Sequence, residues 1–307
     1  MEAEGADFRR WDELIPDALG LIFSNLSLQE MLTVVPLVCK SWRKAVMGPY
    51  CWQEIDIEEW SNRSKPDNIE RMLRMLITRS SGSLRKLCVS GLPNDLIFSF
   101  VAEHAGALQN LRLLRSDMSD LIVEQVSGRL STITFLDLSY CCKIGARALE
   151  AIGKHCKLLA VLRRNMHPLD MEGMLSQEDE AYAIARTMPK LKQLEMAYLL
   201  IDTECVLEII SSCPKLEFLD LRGCWSVKLD EKYVKDKFPK LKVLGPHVVD
   251  HYEQNDWEED CSDESYADSF YDYESFDGMW DDDEERLELR FYEGFDEDNG
   301  YGWPPSP

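Results

Sequence analysis

The sequence predicts an α/β protein with a helical N-terminal unit, a short solenoid of stacked strand–turn–helix repeats and a disordered acidic C-terminal tail. Three observations predict it. A leucine phrase recurs in step, beginning at residues 84, 108, 133, 159, 191, 216 and 241. Apolar residues at helical spacing precede the phrase, from Leu19 to Val46. A segment dense in Asp and Glu follows it, from Asp250 onward.

The first unit spans residues 8–56. Pro16 suits a first helical turn, and Leu19, Ile22, Phe23 and Leu26 follow at helical spacing. Ser27 with Glu30 three residues on reads as a capping box for a second short helix carrying Met31, Leu32 and Val35. Val38, Cys39, Trp42 and Val46 make a third stripe that ends near Gly48-Pro49. Three helices this short cannot bury so much apolar surface among themselves, so part of it faces a neighbour. Residues 57–82 form a connector, where Ile69, Met72, Leu73, Leu76 and Ile77 make an amphipathic stripe suited to roofing the open end of the stack.

Residues 83–249 hold the repeats, about seven in number. The intervals between phrases are 24, 25, 26, 32, 25 and 25 residues, and the pattern L-x-x-L-x-L at this period is the signature of leucine-rich repeats. Strand side chains alternate faces, so Leu136 and Leu138 or Leu219 and Leu221 point inward. Phe135, Asp137 and Ser139, like Phe218, Asp220 and Arg222, point outward. Cys156 and Cys213 stand three residues before a phrase in two repeats, which marks them as small buried residues. Two departures stand out. Arg164 occupies an inward apolar position, predicting a distorted strand or a redirected side chain. The interval of 32 predicts an extra loop around Asp170–Asp179.

The tail, residues 250–307, holds 22 Asp and Glu against Arg286 and Arg290, and 13 aromatics including Trp257, Phe270, Tyr271 and Trp280. Like charge at this density predicts disorder, with a strand through Leu287, Leu289 and Phe291 as the one ordered candidate. Acidic–aromatic mixtures are also common binding segments. The bland reading is a solubilising extension, and the sharper one a segment that docks onto a basic patch.

Residues 1–249 are nearly neutral at −2. With no basic face to displace counterions from phosphates, nucleic acid is not an expected partner. No stretch approaches the roughly 20 apolar residues that cross a bilayer, and the acidic start lacks a signal peptide's pattern. Ten cysteines then read as reduced thiols in the nucleus or the cytoplasm. Cys141-Cys142 are too close for a zinc pair, and neither a glycine-rich phosphate loop nor HExxH occurs, so no metal, cofactor or catalytic role is expected.

The N-terminal unit resembles an F-box. Leu14-Ile15-Pro16-Asp17-Ala18-Leu19-Gly20-Leu21-Ile22-Phe23, Leu26-Ser27-Leu28, Val38-Cys39-Lys40-Ser41-Trp42-Arg43 and Trp52 carry the likeness, over residues 11–56. Ala18 stands where an acid is frequent, and Ser27 replaces a common proline. With repeats behind it, the chain resembles the plant F-box proteins of the leucine-rich-repeat class. The resemblance implies that Leu14, Ile15, Pro16, Leu19, Ile22, Phe23, Leu28, Leu32, Val38 and Trp42 supply the interface and core for a Skp1-like adaptor. Through that adaptor it implies a cullin, and hence a non-catalytic, substrate-receiving subunit of a ubiquitin ligase. The array is shorter than in the hormone-receptor members of the class, so their small-molecule pocket is not carried over.

The target would be a protein held by the strand face, through Arg112, Phe135, Asp137, Arg163, Glu195, Phe218, Asp220 and Arg222. Against this stands a solvated sheet face without a partner. Two other functions fit the same residues: a scaffold that binds the adaptor without cullin, and a receptor whose array encloses a small ligand.

Overall fold

In the computed structural model, which describes residues 11–167 and 176–247, each leucine phrase becomes a short parallel strand. The strands are β1 (Glu54–Asp56), β2 (Lys86–Ser90), β3 (Asn110–Leu114), β4 (Phe135–Asp137), β5 (Val161–Arg163), β6 (Gln193–Glu195), β7 (Phe218–Asp220) and β8 (Lys242–Leu244). They form one sheet in chain order. Ile55, Leu87, Leu111, Leu136, Leu162, Leu194, Leu219 and Val243 stand in register along it. All but Val243 are buried. In the last strand Val243, not Leu244, stands opposite Leu219, one residue out of step with the sequence phrase.

The sheet has one strand more than there are phrases, because β1 comes from the end of the helical unit. That corrects the reading of residues 57–82. Helix α5 (Pro66–Ser80) buries Ile69, Met72, Leu73, Leu76 and Ile77 as expected. It does so as the return from β1 to β2, packed beside α6 (Asp95–Glu103), and not as a lid over the end.

The remaining helices are α1 (Pro16–Phe23), α2 (Val35–Val38), α3 (Lys40–Val46), α4 (Glu58–Asn62), α7 (Asp120–Val126), α8 (Ala146–His155), α9 (Glu178–Thr187), α10 (Thr203–Ser212) and α11 (Glu231–Lys237). The capping box forms as its sequence demands. Ser27 Oγ accepts from Glu30 N at 3.2 Å, and a Glu30 carboxylate oxygen accepts from Ser27 N and Ser27 Oγ, each at 2.9 Å. These bonds hold the Glu30 carboxyl below its ordinary range. The capped segment opens as a wide π-type turn, Glu30–Val34, before α2.

Side chains in one repeat hold the next. The Asp95 carboxylate accepts from Ser119 N (2.7 Å), Asp120 from Gly145 N (2.7 Å), and Thr203 Oγ1 from Lys228 N (2.8 Å). The cysteines work the same way. Cys156 and Cys213 are buried, and their thiols donate to Leu130 O (3.2 Å) and Met188 O (3.5 Å) of the preceding repeat.

Arg164 does neither of the two things its position predicts. Strand β5 pairs regularly, and the side chain stays inward at 1% exposure. Its Nε and Nη2 donate to Glu180 of α9 at 2.9 and 3.2 Å, and Nη2 also donates to Ile144 O at 2.7 Å. A buried charge needs such a partner, because isolated it carries a large desolvation penalty. The extra loop around Asp170–Asp179 lies outside the described residues except at its end, where Glu178 and Asp179 begin α9. The tail's expected disorder and its strand through Leu287 lie wholly outside them.

Candidate functional site

Two surfaces emerge. The first lies on the front helices. Pro16 at the N-terminus of α1 supplies a first turn that needs no N–H donor, and the helix turns Leu19 and Phe23 into the core. Gly20 allows the close approach of Tyr50, since a Cβ there would lie 2.5 Å from that of Tyr50. The opposite side of the helices presents Ile15 (65% exposed), Leu21 (72%), Ile22 (40%), Val34 (54%), Leu37 (65%) and Val38 (53%). Exposed single aliphatics are ordinary, but six within residues 15–38, carried by α1, α2 and the turn before α2, with α1 and α2 both packed on α3, make an apolar ridge of the kind that marks an interaction site.

The structure divides the ten expected adaptor residues. Ile15, Pro16, Ile22 and Val38 are exposed. Leu14, Leu28 and Trp42 are half-buried and pack against the core. Trp42 meets the Phe23 ring edge-on at 5.0 Å and donates to Trp11 O at 3.3 Å. Leu19, Phe23 and Leu32 are interior at 0, 1 and 8% exposure, which corrects their reading as contact residues. A side chain with no exposed surface supports the ridge without touching a partner. Leu21, Val34 and Leu37 are the exposed residues that sequence reasoning missed. Their signal was present: each falls off the apolar stripe of its helix and is apolar nonetheless.

The second surface is the strand face opposite the leucines. One row across the sheet reads Asp56, Cys88, Arg112, Asp137, Arg163, Glu195 and Asp220, each opposite the next. Its charges largely satisfy one another. Arg112 Nη1 lies 2.9 Å from Glu58 and its Nε donates to Asp137 at 3.2 Å. Arg163 Nε donates to Glu195 at 3.0 Å and its guanidinium lies 5.3 Å from the Phe135 ring centre. Arg222 grips Asp220 through Nε and Nη2, the shortest contact being 2.6 Å, which holds the guanidinium charged above its ordinary range.

Asp137 and Asp220 are corrected in the same way as Leu19. Both are 2% exposed, because Asp137 accepts from Ser139 N (3.0 Å) and Oγ (2.7 Å) while Asp220 accepts from Arg222 N (3.1 Å). They brace the face from within. What the face presents outward is the half-buried Arg112, Phe135, Arg163, Glu195 and Phe218 and the exposed Arg222.

Among the described residues no cluster of three or more His, Cys, Asp or Glu side chains is placed to hold a metal ion, and no helix is long and apolar enough to cross a membrane. Buried thiols are held protonated: burial pushes Cys51, Cys141, Cys156, Cys213 and Cys224 up to about 11 and Cys88 to about 12.

Comparison with known proteins bears on the front helices first. Residues 9–58 match the family described as F-box-like. Over 99% of its length the chain is 58% identical to F-box protein FBW2 of Arabidopsis thaliana, of which 99% is covered. It is 31% identical to F-box protein SKIP1 of the same plant, over 80% of this chain and 87% of the relative. It is 29% identical to Putative F-box/LRR-repeat protein 23, over 77% of this chain and 53% of the relative.

Proposed function

This chain belongs to the F-box proteins of plants, and from that premise we propose that it is the substrate-receiving, non-catalytic subunit of a Skp1–cullin–F-box ubiquitin ligase. The observation that carries the reading is the apolar ridge of Ile15, Leu21, Ile22, Val34, Leu37 and Val38, exposed on helices whose other side is core. A Skp1-like adaptor docks there by apolar burial, in which a few anchors supply most of the energy. The strand face takes the target protein, with Phe135, Arg163, Phe218 and Arg222 as its contacts. Ubiquitin transfer is left to the other subunits. This chain contributes proximity, raising the effective concentration of target lysines beside the charged enzyme.

The test is co-purification of the full chain with a Skp1-like adaptor and a cullin. Ile15→Asp and Leu37→Asp each place a charge on the ridge while leaving the core intact. Each is expected to cost about 2 kcal/mol or more of adaptor binding, roughly 30-fold in Kd. Wild-type affinity in both variants rejects the ridge as the adaptor site. Adaptor without cullin favours a scaffold outside the ligase. Targets enriched by proximity labelling should accumulate when the proteasome is inhibited.

A further inference from the structure

We propose that the acidic–aromatic tail, residues 250–307, folds back onto the C-terminal end of its own solenoid and covers the last repeat. Two observations on that repeat carry the inference, and neither depends on adaptor or target binding. The first is an unfinished core. Among the described residues, strand β8 pairs with β7 on one side and ends the sheet. Leu229, Phe238, Leu241 and Val243 are half-buried, whereas the corresponding Ile201, Cys213, Leu216 and Leu219 of the preceding repeat are buried. A repeat without an outer neighbour exposes half of its apolar layer and needs a cap.

The second observation is charge. Residues 226–247 hold six lysines against Asp230, Glu231 and Asp236, in a body that is otherwise close to neutral. Lys228, Lys232, Lys240 and Lys242 are exposed, and none has an ion-pair partner among the described residues. Lys190 and Lys215 extend the set, because they occupy the same helix-to-strand turn in the two preceding repeats as Lys240 does in the last. An unpaired basic rim around an open apolar end calls for an occupant that is both acidic and aromatic. The chain that follows β8 is that occupant, with a net charge of −20 and 13 aromatic rings. Attachment in the same chain makes the encounter intramolecular, which raises the effective concentration of the tail without any new contact.

The experiment is zero-length carbodiimide cross-linking of the full chain, read by mass spectrometry. Tail carboxylates should couple to Lys228, Lys232, Lys240, Lys242, Lys190 and Lys215 in preference to the exposed Lys40 and Lys44 at the other end. Tethering alone favours the nearer lysines, so coupling is counted as the excess over a chain whose 13 tail aromatics are replaced by serine, which keeps reach and charge. Raising salt from 0.1 to 1 M shortens the screening length from about 10 to about 3 Å and should remove most of these links. Couplings spread evenly over all lysines, or absent, overturn the proposal. So do links that join isotopically light to heavy copies, which assign the rim to a second molecule.

Hydrogen exchange tests the same cap by another route. In Lys215→Glu/Lys240→Glu/Lys242→Glu, the amides of β8 and α11 should exchange several-fold faster than in the wild type, while those of α5 keep their rate. Unchanged exchange in β8 also overturns it.

Discussion

Leu19 and Ile15 lie four residues apart in one motif and do opposite work. Leu19→Ala opens a cavity under α1 and is expected to cost about 2–5 kcal/mol of stability, seen as a lowered Tm. Ile15→Asp should leave Tm almost unchanged and remove adaptor capture. If both variants merely unfolded, the division between ridge and core would be wrong. Arg164 offers a second contrast. Glu180→Ala leaves a guanidinium buried without its carboxylate and should cost about 3–5 kcal/mol. Arg164→Leu/Glu180→Leu removes both charges and should recover much of that loss in denaturant titrations, as breaking a buried pair costs more than replacing it. The thiols set a pH limit. Folded thiols near 11 bind protons more tightly than unfolded ones near 9, so stability holds below pH 9 and falls as pH rises through 9 to 11. Urea midpoints between pH 8 and 10.5 should fall, and more shallowly in Cys156→Ala/Cys213→Ala.

Strands are where the sequence is most legible and also where it misleads. The period of the leucines is a consequence of stacking, so six strands and their inward faces can be read from spacing alone. Strand β1 cannot, because Glu54-Ile55-Asp56 offers a single inward residue and no phrase. Its pairing is nonetheless firm: Gln53 O accepts from Arg85 N at 2.7 Å, and Ile55 stands opposite Leu87. Arg164 and Glu180 are illegible for a different reason. They lie on different elements, sixteen residues apart, and only the fold makes them neighbours. The outward acids Asp137 and Asp220 alternate correctly, yet alternation says nothing about which outward groups find partners and close over. At this scale the prediction concerns truncation. A chain beginning at residue 57 bares the edge of β2 and should scatter more light than one beginning at residue 50, which keeps β1 over that edge although it too loses the front helices' share of the core.

For the molecule as a whole, one apolar cluster runs without interruption from Leu19 in the first helix to Val227 near the last. Trp52 stands at the junction. It is 1% exposed, its Nε1 donates to Val46 O at 2.7 Å, and the Arg79 guanidinium of α5 lies 5.7 Å from its ring. A core shared in this way predicts that front helices and first repeats melt together. In a variant that keeps only Trp42, Trp52 and Trp60 of the eight tryptophans, fluorescence should trace the same midpoint as far-ultraviolet circular dichroism. Two separated transitions would mean two independent bodies.

That shared joint has a mechanical consequence. Whatever grips Ile15 and Leu37 also aims the rest of the sheet, because the rung that begins it is cut from the same piece as the handle. A designer who wished to point this receptor elsewhere would gain nothing by lengthening a tether, since none lies between them. The angle is written into Trp52 and the three residues of β1, and a graft of the handle onto another array would have to carry its first rung along.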